Sequence, residues 1–181
     1  AVHERCIVFV DRRYWIVSDW LRADSRHDYV LNFQLGSHAH DQAHLSLADS
    51  VRVRSPGLLI AQPSRRGMRH ALVPSWVSAR YGDKQPAPAL QTSMTSVDAD
   101  FDTVLMPWQE VDPQVDVADF AVEGAGSSGP SRPQALRIGL DVDGHRVTDY
   151  WFHGRAAERR TWRVGRFAFT GRWLYWRESA D

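Results

Sequence analysis

Three closely spaced histidines, His38, His40 and His44, form the tightest group of potential metal ligands in this 181-residue sequence. In an extended segment, residues two apart point to the same side, so His38 and His40 could bind one metal ion. A cupin-like metal enzyme would use such a pair, but the carboxylate that should follow a few residues later is missing. We therefore interpret the three as exposed loop histidines and predict no metal or other cofactor in this chain. A cupin-like enzyme is the alternative.

A second group combines charge with aromatic rings: Trp76, Arg80, Tyr81 and Lys84. Lys84 is the only lysine in a chain whose other basic residues are all arginine. Arginine would suffice wherever charge alone is needed, so we predict that Lys84 makes a specific contact, either buried or with a docked partner. Gly82 between Tyr81 and Lys84 predicts a tight turn. We expect these four side chains to bind substrate or to dock a partner, with ordinary surface charge as the alternative for Lys84.

Tryptophan and arginine alternate near the C-terminus, in Trp162-Arg163, Arg172-Trp173 and Trp176-Arg177. Exposed aromatic faces stack on sugar rings, and arginine forks pair with uronate or sulfate groups. The favoured interpretation is that the rings fill a core, and a carbohydrate-binding surface is the alternative. The sequence contains no nucleophile elbow, phosphate-cradling glycine loop or His-Glu-x-x-His pair, so its motifs by themselves indicate no enzyme.

Composition excludes several classes of protein. Basic and acidic residues both number 22, so the formal charge is zero, which argues against a nucleic-acid binder. No apolar run approaches the roughly 18–20 residues that a membrane helix needs, so we predict no membrane insertion. Cys6 is the only cysteine and cannot form an intramolecular disulfide. Its apolar neighbours favour a buried, inert thiol.

The elements that must position these residues are strands, because the hydrophobic period is two almost everywhere. Turn signals such as residues 23–25 separate them, and 162–176 folds back on itself at two glycines. This pattern predicts an all-β fold, a two-layer antiparallel β-sandwich with almost no helix, as one domain over 1–181. Residues 108–134 are predicted to be irregular, first acidic and then Gly/Ser-rich, with one helical turn possible at 156–160. The predicted strands are 5–10, 14–21, 29–35, 44–48, 51–53, 58–61, 89–95, 101–106, 120–123, 136–141 and 147–152.

Three segments, in order over residues 1–107, resemble the C-terminal β-sandwich region of heparinase II/III-like polysaccharide lyases. A His-x-Arg strand at His3 runs into a Tyr-Trp-x-Val-x-Asp strand that ends at Asp19. A strand of alternating aromatic and apolar residues follows at 27–35. The most specific segment is the Ser-x-x-Tyr-Gly-x-Lys run at 78–84, followed by prolines and a Thr-x-Leu-x-Pro strand at 103–107.

This resemblance implies a parent lyase that cleaves uronic-acid polysaccharide by β-elimination. In such enzymes a helical toroid supplies most of the catalytic residues, and some members carry a structural zinc. Both the catalytic histidine of the β region and that zinc site precede the matched segments, so we assign no catalytic residue and no zinc ligand here.

We therefore expect a fragment of a longer lyase, inactive by itself, that supports substrate binding and docks on the toroid. Its expected partners are an acidic polysaccharide and the toroid of the parent chain. The resemblance also implies a secreted or periplasmic parent. A stand-alone carbohydrate-binding module is the alternative.

Overall fold

The computed structural model describes residues 1–123, 133–142, 144–154 and 161–179. Within these ranges the chain forms fourteen strands and one short 3-10 helix, Ser37–Ala39, and no α-helix. All strand pairs are antiparallel, which confirms the predicted all-β sandwich class. No helix of the described chain is long and apolar enough to cross a membrane. The strands are β1 Val2–Val10, β2 Tyr14–Gln34, β3 His44–Leu47, β4 Ser50–Ser55, β5 Leu58–Pro63, β6 Arg69–Arg80, β7 Asp83–Pro107, β8 Val115–Asp119, β9 Val122–Glu123, β10 Gln134–Val142, β11 His145–His153, β12 Thr161–Val164, β13 Phe167–Thr170 and β14 Trp173–Ser179.

The chain divides into two compact units, Ala1–Asp112 and Pro113–Asp181, where the sequence predicts one domain. The first unit contains one seven-stranded sheet in the order β1-β2-β7-β5-β4-β3, with β6 also paired to β7. The second unit contains a four-stranded sheet, β14-β11-β10-β8, and a three-stranded sheet, β13-β12-β9.

Two long strands let the single sheet of the first unit fold over on itself. The first half of β2 pairs with the second half of β7, and the second half of β2 pairs with the first half of β7. The register shifts between Arg22 and His27, where the sequence predicts a turn at 23–25. A bulge replaces that turn, because both flanking halves of β2 find their partners on the same strand. The two predicted strands 14–21 and 29–35 are therefore one strand.

The fold-over encloses an apolar core between its two layers. Val53 and Ile60, from the layer of β4 and β5, pack in one cluster with Leu90 and Leu35, from the layer of β7 and β2. Leu72 of β6 packs against the same cluster. The alternation of inward and outward side chains along each strand is the pattern that the sequence shows.

The second unit has its own core between its two sheets. Ala135 and Phe152 come from the larger sheet, and Trp162 and Val164 come from the smaller one. The segment after Thr161 folds back twice, as the sequence predicts, into β12, β13 and β14.

The prediction of an irregular segment over 108–134 is wrong for Val115–Asp119, which forms β8 and pairs with β10. Val115 and Val117 are buried, and their period-two spacing outweighs the acidic residues between them. Val122–Glu123 forms β9, inside the predicted strand 120–123. The glycine-rich loop predicted at 124–130 and the helical turn predicted at 156–160 lie outside the described residues.

Candidate functional site

The four residues predicted to bind substrate or dock a partner lie together on the β6–β7 hairpin. Trp76 faces Pro86 across the hairpin, and Arg80 pairs with Asp83. Tyr81 and Gly82 connect the strands, and Gly82 adopts a left-handed φ of 79° that favours glycine. The local sequence thus closes the turn that brings Lys84 back toward Trp76.

Trp76 and Lys84 form a cation–π pair at this hairpin. The Lys84 Nζ lies 4.5 Å from the centroid of the Trp76 ring, and the Trp76 residue is 53% exposed. Tyr81 at the turn is fully exposed, and Arg80 is exposed as well. An exposed ring beside a cation can stack on a sugar and pair with its acidic group. The geometry therefore suits an anionic saccharide.

The histidines considered as metal ligands lie elsewhere in the first unit. His38 is in the 3-10 helix, His40 follows it, and His44 begins β3; all three are exposed. His40 lies 3.5 Å from Asp41. Across the described parts of the chain, no group of three or more His, Cys, Asp and Glu side chains is arranged to hold a metal ion. The structure thus does not assemble the ligand set that a cupin-like enzyme would need.

A buried carboxylate on β2 anchors the edge strand β1. Asp19 is fully buried, and its Oδ1 lies 2.5 Å from His3 Nε2. Arg5 donates to both carboxylate oxygens of Asp19, at 2.6 and 3.1 Å. His3 and Arg5 are two apart on β1 and so share one face. The three side chains together fix β1 against β2.

The same face of β1 continues into exposed apolar residues. Ile7 is 60% exposed and Phe9 is 50% exposed. Phe9 stacks on Trp15 of β2, with ring centroids 4.5 Å apart and planes at 10°. Clustered exposed apolar side chains are typical of interaction surfaces. We call Ile7, Phe9 and Trp15 the β1 apolar patch.

A second buried carboxylate lies on β7. Asp102 accepts from the Ser18 hydroxyl at 2.5 Å and from Arg65 Nη2 at 2.7 Å. Burial, assisted by the nearby charge of Asp102, raises the pKa of the Cys6 thiol. A raised pKa keeps the thiol protonated, as expected of an inert cysteine, but Cys6 is only partly buried where the sequence predicts a buried thiol.

The alternating tryptophans of the second unit have different environments. Trp162 is 2% exposed and packs in the core, as the favoured interpretation predicts. Trp176 stacks on Tyr150, with centroids 4.4 Å apart and planes at 7°. Burial raises the pKa of Tyr150, and the charge of Glu178 and its hydrogen bond with Tyr150 raise it further. Trp173, at 67%, is the exposed ring of the group.

Sequence motifs do not reveal the interactions of Asp19 and Asp102, because their partners are distant in sequence. The two-residue spacing of His3 and Arg5 places both side chains on one face of a strand, and it is the one sequence signal for this cluster. The antiparallel register of β1 and β2 is needed to identify Asp19 as their partner.

Comparison with known proteins gives a family and a fold. The model of the family described as "Heparinase II/III-like, C-terminal" matches residues 1–133. The solved structures include a similar one, a mutant of the heparan sulfate lyase HepC from Pedobacter heparinus, with a TM-score of 0.61 and 15% sequence identity. The match covers 80% of this chain and 23% of that lyase, so the chain spans about a quarter of its length. No curated protein sequence matches.

Proposed function

We propose, since this chain belongs to the heparinase II/III-like, C-terminal family, that it is the β-sandwich part of a polysaccharide lyase. In this proposal it binds acidic polysaccharide and docks on the helical toroid that carries the catalytic residues. By itself it performs no β-elimination. The parent lyase is secreted or periplasmic, where polysaccharide substrates are found, and any structural zinc belongs to other parts of that lyase.

The Trp76–Lys84 pair carries the binding part of the proposal. A half-exposed tryptophan leaves a large apolar surface in water, which favours a function in recognition. The neighbouring ammonium adds the charge that uronate and sulfate groups require. Arg80 and Tyr81 extend the same exposed hairpin with a second cation and a second ring.

Binding can be tested with the purified chain and a panel of uronate polysaccharides, including heparan sulfate and alginate. Trp76→Ala should weaken binding by about five- to tenfold, since the lost stacking of the ring on a sugar is worth roughly 1–1.5 kcal/mol. The matched control is Trp173→Ala, which removes an exposed ring from the second unit. Equal affinity of both variants and the unaltered chain would refute a binding role for the hairpin.

Ultraviolet absorbance in the same samples separates binding from catalysis. β-Elimination creates an unsaturated uronate that absorbs where the substrate does not. We expect a flat trace with every polysaccharide. A rising trace would show that the chain contains its own catalytic base and acid.

The β1 apolar patch carries the docking part of the proposal. The HepC lyase is much longer than the matched region, so most of such a lyase lies outside the sandwich. An edge strand that exposes Ile7 and Phe9 offers an apolar contact for that remainder. Asp19, with its contacts to His3 and Arg5, holds this strand rigid, as a docking surface requires.

Docking can be tested by co-expressing this chain with the toroid of a heparinase II/III-like lyase and measuring co-purification. Phe9→Glu should abolish the complex, because a buried unpaired charge is costly. Val111→Glu is the matched control, since Val111 is an exposed apolar residue of the same unit. A chain that binds polysaccharide but forms no complex with the toroid would instead be an independent carbohydrate-binding module.

A further inference from the structure

A pocket of about 350 Å³ opens in the first unit, beside the start of β6. This volume is at the small end of the roughly 300–1,000 Å³ range of ligand sites, so it suits one sugar ring and not a chain of rings. One side is formed by the turn between β5 and β6, where the Met68 N–H donates to the Arg65 carbonyl at 3.2 Å. Gly67 has a φ of 86°, which permits this turn.

The pocket wall combines apolar and cationic side chains. Leu47, Val51 and Met68 supply apolar surface. Two arginines, Arg65 and Arg69, also line it, and no Asp or Glu is among the residues that form its wall. Positive charge beside an apolar wall suits a ring that carries a negative group.

The two arginines of the pocket differ in their contacts and exposure. Arg65 donates to the Asp102 carboxylate at 2.7 Å and to the Asp100 carbonyl at 2.9 Å, so its position is fixed and its charge largely compensated. Arg69 is exposed at the first position of β6. Arg69 is therefore the guanidinium that can pair with a ligand anion.

A buried chain of hydrogen bonds orients His70, a third polar residue of the pocket. The Gln62 amide donates to Thr103 Oγ1 at 2.8 Å, and the Thr92 hydroxyl donates to Gln62 Oε1 at 2.7 Å. His70 Nδ1 lies 3.2 Å from Thr92 Oγ1. Because the Thr92 proton is directed to Gln62, Thr92 accepts from His70 Nδ1, which leaves Nε2 as the acceptor of the neutral ring. Burial lowers the pKa of His70, which favours this neutral form near pH 7.

We propose that this pocket is a subsite for one acidic sugar residue, in which Arg69 pairs with a carboxylate or sulfate and His70 accepts a sugar hydroxyl. The apolar wall then covers the C–H face of the ring. This inference rests on the proposed function, since it specifies where the chain holds a residue of its acidic polysaccharide. Its location, at the β5–β6 turn, is separate from Trp76 and Lys84 on the β6–β7 hairpin.

The test uses the full chain and two heparan-type tetrasaccharides that share their glucuronate units and differ in N-sulfation. Calorimetry should give an affinity at least about tenfold lower for Arg69→Gln than for the unaltered chain, because charge-assisted contacts are strong. The matched control is Arg66→Gln, an exposed arginine of the same turn that does not line the pocket. Its affinity should remain within about twofold. Tighter binding of the N-sulfated tetrasaccharide identifies the anion that pairs with Arg69 as sulfate. Equal binding of the two tetrasaccharides identifies it as carboxylate.

Ring resonances of His70 provide a second readout that does not depend on the variants. The tetrasaccharide should shift them, and inorganic sulfate alone should not reproduce the shift. Equal shifts with inorganic sulfate would reduce the pocket to a simple anion site and overturn the proposal. Equal affinities of the Arg66 and Arg69 variants would overturn it as well.

Failure of this inference differs from failure of the proposed function. If binding depends on Trp76 but not on Arg69, the pocket is not a subsite and the proposed function stands. If no acidic saccharide binds the unaltered chain, both proposals fall together.

Discussion

Trp76 and Trp162 both lie on β-hairpins, but the environments of the two rings are opposite. Trp162 is 2% exposed, its centroid lies 5.3 Å from that of Phe152, and its indole N–H donates to the Gly171 carbonyl at 3.1 Å. Trp76 is 53% exposed and has a lysine over its ring. A ring with every group satisfied stabilises its unit, whereas a ring left half in water is available for a ligand. Exposure, more than residue type, therefore separates the structural tryptophan from the one for which we propose a role in binding.

The largest expected effect is the loss of the buried ring. Trp162→Ala should lower the free energy of unfolding of the second unit by about 3–5 kcal/mol, because it removes a core aromatic and leaves a cavity. Urea unfolding followed by NMR of the second unit measures this change. Trp173→Ala removes an exposed ring and should cost under about 1 kcal/mol. Similar losses from both variants would contradict the contrast between buried and exposed rings.

A smaller change should follow from crowding the same ring. A Cβ atom at Gly154 would lie 3.1 Å from three atoms of the Trp162 indole, a tight contact that the buried, hydrogen-bonded ring has little room to relieve. Gly154→Ala should therefore destabilise the second unit by about 1–3 kcal/mol. In the control, Gly171→Ala, the new Cβ would lie 3.6 Å from the Phe169 ring, an ordinary contact. Thermal melts should show the larger decrease in Tm for Gly154→Ala.

Substitutions of Lys84 test whether its charge contributes to binding beside the exposed Trp76 ring. Lys84→Gln should lower affinity for acidic polysaccharide by about two- to fivefold, because an exposed ion pair with a carboxylate or sulfate is worth roughly 0.5–1 kcal/mol. Stability should hardly change. Lys84→Arg keeps the charge and should retain most of the affinity, and binding curves at two salt concentrations separate charge from packing. Loss of folding in Lys84→Gln would indicate a structural lysine instead.

The smallest effect concerns His70, a half-buried ring between these extremes. Burial lowers the pKa of His70 below its ordinary value of 6.5, so the unfolded chain binds this proton more readily than the folded chain. Above pH 6.5 the ring is neutral in both the folded and the unfolded chain, so it does not change the free energy of unfolding. As the pH falls below 6.5 the unfolded chain takes up the proton first, and the folded state loses stability. His70→Gln should therefore flatten the dependence of Tm on pH between 7 and 5. An unchanged slope would show that other groups govern this dependence.

The sequence predicted the strand character of the chain well and its boundaries less well. Period-two patterns identified β2 and β7 in pieces, because the polar residues at the bulge after Arg22 read as a turn. Likewise, the acidic residues around Val115 and Val117 led to the prediction of an irregular segment where the structure has β8. In both cases a local composition signal was weaker than the pairing that a neighbouring strand supplies.

The candidate residues on the β6–β7 hairpin were predictable because they are close in sequence. A tight turn at Gly82 is sufficient to bring Lys84 back to Trp76. The subsite inferred at Arg69 and His70 was not predictable. Its members come from β3, β4, the β5–β6 turn and the start of β6, and His70 is oriented through Thr92 on β7.

Short-range spacing of residues was enough to predict the all-β class, the family resemblance and the hairpin residues. Only the folded chain shows which tryptophans are buried, that Asp19 contacts His3 and Arg5, and that a cationic pocket exists. These depend on strand register and on the fold-over of β2 and β7, which bring distant residues together. Side-chain alternation tells which face a residue occupies, but only the packed layers determine what that face meets.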